Sequence, residues 1–306
     1  MQIRPLQTTF AQEPGKITMK VLVFGTTGQV AIELHRCQPT DVEMVQLGRD
    51  TADLTQPDRC ANAILAGNFD VIINAAAYTA VDQAESDSTT AMLVNAAAPG
   101  AMARAAAVSG IPFVHISTDY VFDGSGTAPW NPNDDTHPLG VYGKSKLAGE
   151  TEIIASGCDH VILRTSWVFS VHGNNFVKSM LRLGATKTEL NIVADQVGGP
   201  TAARDLAQAI WTVVKTISNK RDQSGVYHYS GLPNVSWADF AREIFAQSGQ
   251  PVTVNNIATT EYPTPAQRPA NSRLDCSTTL THFGISQPDW RKSLTQVLDE
   301  LKEKDL

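Results

Sequence analysis

Short apolar runs alternate with stretches of helical spacing through the first half of the chain. Lys20–Phe24, Glu43–Leu47, Asp70–Asn74, Pro112–Ser117 and His160–Arg164 are short and apolar-rich, and each predicts a strand. Between them, apolar positions recur at helical spacing after Gln29 through Ile32 and Leu34. An Ala-, Met- and Leu-rich stretch from Thr89 to Ser109 predicts a longer helix. This βαβα rhythm predicts an α/β fold, a doubly wound parallel sheet with helices on both faces. Ligands then belong at the carboxyl ends of the strands. After Trp167 the rhythm loosens. Val226–Tyr229 predicts one more strand, and Trp237–Ser248 an amphipathic helix with Ser236 as its N-cap. Gln250–Pro269, rich in Thr, Asn and Pro, reads mostly as loop. Pro288–Lys304, with Trp290, Leu294, Val297, Leu298 and Leu301 on one stripe, predicts a closing helix.

Composition narrows the class. The 306 residues are 42% hydrophobic and 18% charged, enough to bury a large core and unlike a disordered chain. Lys and Arg total 24 against 31 Asp and Glu, a net charge of −7 without a long basic run, which argues against a nucleic-acid surface. Cys37, Cys60, Cys158 and Cys276 form no C-x-x-C pair, so free thiols in a cytoplasmic protein are expected rather than zinc or a disulfide framework. No apolar run approaches bilayer-spanning length, so no membrane partner is expected. Met1–Thr18 lacks the apolar centre of a secretion signal and reads as a flexible extension before Met19.

Gly25-Thr26-Thr27-Gly28-Gln29-Val30-Ala31 lies between the first strand and the first helix. A tight turn that brings backbone close to a pyrophosphate needs glycine, and the following helix offers free N–H groups to phosphate. Gly25, Gly28, Gln29 and Val30 are therefore candidate dinucleotide contacts. The spacing is G-x-x-G-x-x-A rather than G-x-G-x-x-G. The second strand ends at Gly48-Arg49-Asp50, where a carboxylate suits a ribose hydroxyl and Arg suits the extra phosphate of NADP. Both NADH and NADPH stay open, with Arg49 leaning towards NADPH. We expect a Rossmann-type dinucleotide-binding domain from residues 19–166 plus roughly 196–230. Residues 167–195 and 231–306 would form a smaller substrate-binding cap.

Tyr142 and Lys146 are four residues apart, on one face if the segment is helical. A free phenol, with pKa of about 10, is a slow proton source at neutral pH; a nearby ammonium would lower it towards the working range. Upstream, Ser117-Thr118-Asp119-Tyr120-Val121-Phe122-Asp123-Gly124 follows an apolar strand and supplies hydroxyls to the expected crevice.

Together these residues resemble the extended short-chain dehydrogenase/reductase family, from Met19 onward. That resemblance implies Thr118, Tyr142 and Lys146 as the catalytic triad, with Tyr142 the general acid, Lys146 holding the nicotinamide ribose and tuning Tyr142, and Thr118 bonding the substrate oxygen. It also implies cofactor contacts at Asp53, Leu54, Ala75, Ala76, Ala77 and Asn95. Further phrases resemble the dTDP-4-dehydrorhamnose reductases of that family. They are Gly28-Gln29-Val30, Asn74–Asp82, Ser117–Gly124, Arg164–Val168, Asn174–Val177, Asp195–Thr201, and Arg268-Pro269 with Ser272 and Leu274. This implies a dTDP-linked keto-deoxysugar substrate, reduced at its 4-keto group and contacted by Thr118, Asp119, Tyr120, Trp167, Asn175, Gln196 and Arg268. Some relatives hold a divalent cation such as Mg at a homodimer contact. Glu33 matches one ligand position and no other ligand is found, so cation and dimer stay open.

Two competing readings remain. One is another nucleotide-sugar enzyme, a 4,6-dehydratase or epimerase, although a dehydratase would call for a carboxylic acid where Tyr120 stands. The other is a non-catalytic NADP-binding regulatory subunit, resembling that of methionine adenosyltransferase.

Overall fold

The computed structural model describes residues 19–304; the extension expected over residues 1–18 lies outside them. The first half runs β1 (Met19–Phe24), α1 (Gln29–Arg36), β2 (Val42–Leu47), α2 (Pro57–Leu65), β3 (Val71–Asn74), α3 (Val81–Ala84), α4 (Ser88–Met92), α5 (Ala98–Ser109), β4 (Phe113–Thr118), α6 (Val141–Ala155) and β5 (His160–Thr165). The five predicted strands form, each within a residue of its expected ends. A sixth, β10 (Gly225–His228), begins one residue before the expected strand and adds to β5.

All six pair in parallel in the order β10-β5-β4-β3-β1-β2. Successive side chains of a strand face opposite sides. Val21 and Val23 enter one apolar cluster with α1 and α8 (Ala203–Asn219), while Leu22 and Phe24 enter another with α2, α5 and α6. The fold is thus a doubly wound α/β sandwich. Because β2 and β3 flank β1 on opposite sides, the chain reverses direction between β1 and β3, and a crevice opens at their carboxyl ends.

The helix expected from Thr89 to Ser109 is not uniform. A widened π turn at Leu93–Ala97 separates α4 from α5 and carries Asn95, which is 1% exposed. By length and apolar composition, Ser88–Ser109 could cross a membrane, contrary to the sequence expectation that no run approaches that length. Here it is a core helix, mostly buried, with α5 packed against α2 and α6.

The remaining elements are β6 (Val168–Phe169), α7 (Phe176–Gly184), β7 (Glu189–Val193), β8 (Val197–Gly198), β9 (Thr201–Ala202), β11 (Val235–Ser236), α9 (Trp237–Ser248), β12 (Thr253–Ile257), β13 (Asn271–Ser272), α10 (Ser277–Phe283) and α11 (Trp290–Lys304). Helices α7, α9 and α11 share a third cluster around Phe240, Ile244, Trp290 and Leu294. Ser236 caps α9 as expected, its side chain accepting from the Asp239 N–H at 3.0 Å. The loop reading of Gln250–Pro269 needs correction, because β12 pairs in parallel with β7. Its Thr-Val-Asn-Asn-Ile sequence buries only Val254 of its five residues, so local composition hides a strand whose partner is distant in sequence.

Candidate active site

The turn after β1 forms one wall of the crevice. Gly25 holds φ at +116°, which side-chain-bearing residues rarely adopt, and its N–H donates to Leu47 O at 2.9 Å. Gly28 precedes α1 and no side chain caps that helix, so its first N–H groups are available to phosphate. Opposite, Ala75 donates to Phe24 O at 3.0 Å, placing Ala75, Ala76 and Ala77 beside the turn. This cradle suits a dinucleotide. Val30 is buried beneath the turn. The Gln29 side chain accepts from Ser170 Oγ at 2.8 Å and Asn175 Nδ2 at 3.0 Å. Arg49 and Asp50 are exposed at the end of β2. Asp53 accepts from the Thr55 N–H at 2.9 Å, which lowers its pKa, and Leu54 packs into the core.

Asn95 acts on the crevice at one remove. Its Oδ1 accepts from the Tyr78 N–H at 2.8 Å, and its Nδ2 donates to Tyr78 O and Ser145 Oγ, both at 3.0 Å. It ties the loop after β3 to α6.

The second wall joins the end of β4 to the start of α6. Gly143 makes this approach feasible: a Cβ there would lie 2.2 Å from Tyr120 O. Thr118, Tyr120 and Tyr142 come together. The two phenol rings meet edge to face at 5.5 Å, and the Thr118 side chain lies beside the Tyr142 phenol. Thr118 Oγ1 donates to Asp119 Oδ1 at 3.1 Å. Burial pushes Tyr142 up to about 12, with the Thr118 side chain opposing and Asp119 adding to the rise. Burial likewise lifts Asp119 to about 6, against hydrogen bonds from Ser272 and Thr118.

The expected tuning of Tyr142 by Lys146 is not found. Lys146 is buried on α6 but turns its Nζ to Ile116 O at 2.7 Å and His115 Nε2 at 3.0 Å. Helical spacing puts both residues on one face without making the ammonium meet the phenol, because β4 offers the lysine other partners.

Other substrate candidates are also redirected. Asn175 caps α7 through Oδ1, and its Nδ2 donates to Ser170 O, His172 O and Gln29, so it holds a loop. Gln196 is buried between Trp237 Nε1 and Thr259 Oγ1, both at 3.2 Å. Arg268 places its fork on Asp82, at 3.0 and 2.9 Å. Trp167, partly exposed, stacks on Trp237. Trp237 was read from the sequence only as a helix start. His115 was passed over too, although an imidazole inside the apolar run Phe-Val-His-Ile is a visible irregularity.

Glu33 Oε1 accepts from Arg36 Nη1 and pairs with His172 Nε2, both at 2.8 Å, while its Oε2 is buried without a hydrogen-bond partner; no group of three or more metal-ligating side chains occurs among the described residues.

Comparison with known proteins places this geometry. The family model described as RmlD substrate binding domain matches residues 19–303. The chain belongs to that family. Within it, the chain is 45% identical to the dTDP-4-dehydrorhamnose reductase of Sinorhizobium fredii, covering 92% of this chain and 97% of the relative. It is 40% identical to the Escherichia coli dTDP-4-dehydrorhamnose reductase, covering 92% and 98%. The crystal structure of the Bacillus anthracis reductase in complex with NADP superposes with a TM-score of 0.86 at 33% identity, covering 92% and 99%. This RmlD-family chain thus shares fold and near-complete length with its relatives.

Proposed function

We propose that this protein is the NADPH-dependent reductase that converts dTDP-4-dehydro-6-deoxy-L-mannose to dTDP-L-rhamnose. The observation that carries the reading is the convergence of Thr118 and Tyr142 beside a dinucleotide cradle, in a chain 40–45% identical to reductases of that name over 92% of its length. When bound, the reduced nicotinamide supplies hydride to carbon 4. Tyr142 donates the proton to the oxygen: its raised pKa keeps the phenol protonated at neutral pH, the state a general acid requires. Thr118 shares the oxygen through its hydroxyl, and Lys146 bonds the ribose. Tyr120 and Trp167 offer ring faces to the apolar side of the deoxysugar.

Arg49, exposed at the end of β2, and the NADP bound by the Bacillus anthracis relative favour NADPH over NADH. Gly25, Gly28, Ala75, Ala76 and Ala77 contact the dinucleotide directly, with Asn95 and Gln29 acting through the loops they hold. Residues 19–166 with roughly 196–230 form the cofactor-holding domain and the rest the cap, a division supported by the separate cluster of α7, α9 and α11.

The test is consumption of NADPH and of NADH by the purified protein with the keto-sugar generated in situ. Rapid consumption that requires the sugar supports the reading; none, from folded protein that binds cofactor, rejects it.

A further inference from the structure

Asn74, His115 and Lys146 form a directed line of hydrogen bonds under the carboxyl edge of the sheet, and each is at most 2% exposed. The Ala76 N–H donates to Asn74 Oδ1 at 3.1 Å, which fixes the amide so that Nδ2 is the end facing His115 Nδ1, at 3.2 Å. An amide nitrogen only donates, so Nδ1 must accept. A neutral imidazole then carries its proton on Nε2, 3.0 Å from Lys146 Nζ. An ammonium has no lone pair to receive that proton. An amine has one, and still donates to Ile116 O.

We propose that Asn74 and His115 are positioning residues that set the protonation state of Lys146: the direction of their hydrogen bonds makes its nitrogen an acceptor, so the lysine gives up its proton in the neutral range. The inference rests on Lys146 belonging to the reductase site. Burial acts in the same direction, bringing Lys146 down to about 8 with Glu150 opposing, and holds His115 well below its ordinary range.

Of the other ionisable groups on elements packed against α6, Tyr120 meets the Tyr142 ring edge to face and the rest have their own partners. Glu150 is bound by Arg164 and Ser117, Glu152 by Arg104, Asp82 by Arg268, and Asp119 by Thr118. Glu85 accepts from the Val141 N–H, His160 rests on Cys158 O, and Tyr142 meets Thr118. His115 is the titratable side chain hydrogen-bonded to the Lys146 nitrogen.

Two measurements test this. In the first, the cofactor-free protein is labelled with 15N at histidine, with His115→Gln identifying the signal among seven histidines. NMR should show His115 neutral, with its proton on Nε2, from about pH 6 to about pH 8. A proton on Nδ1, or an imidazolium, overturns the proposal without touching the assigned reaction.

The second reads the pH profile of kcat/KM. Activity carried by the Lys146 ammonium falls as pH rises through its pKa. In His115→Gln the amide oxygen can accept from the ammonium, so the falling limb should move upward by about one pH unit. A limb that stays in place, in a variant as heat-stable as the parent, overturns the proposal. Should His115→Gln fail to fold, the parent spectrum still decides: of the two fully buried histidines, His228 must carry its proton on Nδ1 because Trp130 O can only accept it, so the other must show the Nε2–H form, and any other form overturns the proposal. Absence of turnover in the parent would count against the reductase reading alone.

Discussion

The indole rings of Trp167 and Trp237 lie face to face, 3.6 Å apart between centroids and 11° from parallel, while Trp167 carries a backbone φ of 49°. A left-handed conformation at a bulky residue costs about 1–3 kcal/mol and persists only where its surroundings enforce it. Here the Trp237 face does so, and Gln196 anchors the Trp237 ring from its edge. An energetically unfavourable backbone held at the mouth of the crevice is consistent with a role in ligand placement.

Trp237→Ala should therefore raise KM for the keto-sugar by about 3- to 10-fold, the scale of an aromatic stack worth about 0.5–1.5 kcal/mol, with kcat less affected. Trp237→Phe should restore part of the loss. Steady-state kinetics check both, and an unchanged KM in Trp237→Ala would remove Trp167 placement from the account.

Tyr142→Phe should leave NADPH affinity nearly intact while lowering kcat by roughly 10²-fold or more, the scale of a lost general acid. Fluorescence titration of the cofactor beside turnover separates the two. Retention of full turnover would exclude Tyr142 as the proton donor.

Asp119, raised to about 6 from 3.8, holds a proton when folded that the unfolded chain releases between about pH 4 and pH 6. Its contribution to stability is thus lost as pH rises through that window. Asp119→Asn removes the buried charge. It should be more stable than the parent near pH 8, by up to about 2–3 kcal/mol, with little gain near pH 4. Urea denaturation at both pH values measures this; an equal change at the two would show that the carboxyl does not titrate there.

Gly143→Ala should destabilise by about 2 kcal/mol or more, since the new methyl meets backbone rather than a movable side chain. Loss of turnover should accompany it, because the collision pushes Tyr120 and Tyr142 apart. Thermal melts and kinetics together test it, and wild-type behaviour in both would mean the helix start can shift at little cost.

Chelation should leave turnover and Tm unchanged, because Glu33 Oε1 is already taken by the Arg36 guanidinium and the His172 ring. A fall of several degrees in Tm with EDTA, reversed by Mg, would instead place a cation at this carboxylate.

The parallel sheet was legible because its signals are local. A strand buried on both faces must be apolar along its length, as Val21–Phe24 and Val71–Ile73 are. The turn from Gly25 to Gly28 was legible because glycine marks a backbone need that other residues meet poorly. β12 was not, since its polar strand is defined by β7, far away in the chain. Nor was the bilayer-length apolar helix recognised as such: the excess of Ala over Leu softens its hydropathy without shortening it.

The sequence by itself determined where Thr118, Tyr142 and Lys146 stand, at a strand end and on the first turns of a helix, which are properties of neighbouring residues. Only the tertiary structure decided what those groups touch. Asn175, Gln196 and Arg268 carry the right atoms for a ligand, yet each satisfies them on a partner between 41 and 186 positions away. Lys146 likewise points at His115, 31 positions upstream, rather than at Tyr142 one turn before it. Residue type sets hydrogen-bonding capacity, but a buried polar atom takes the partner that packing brings within about 3 Å, and packing is settled by the whole chain.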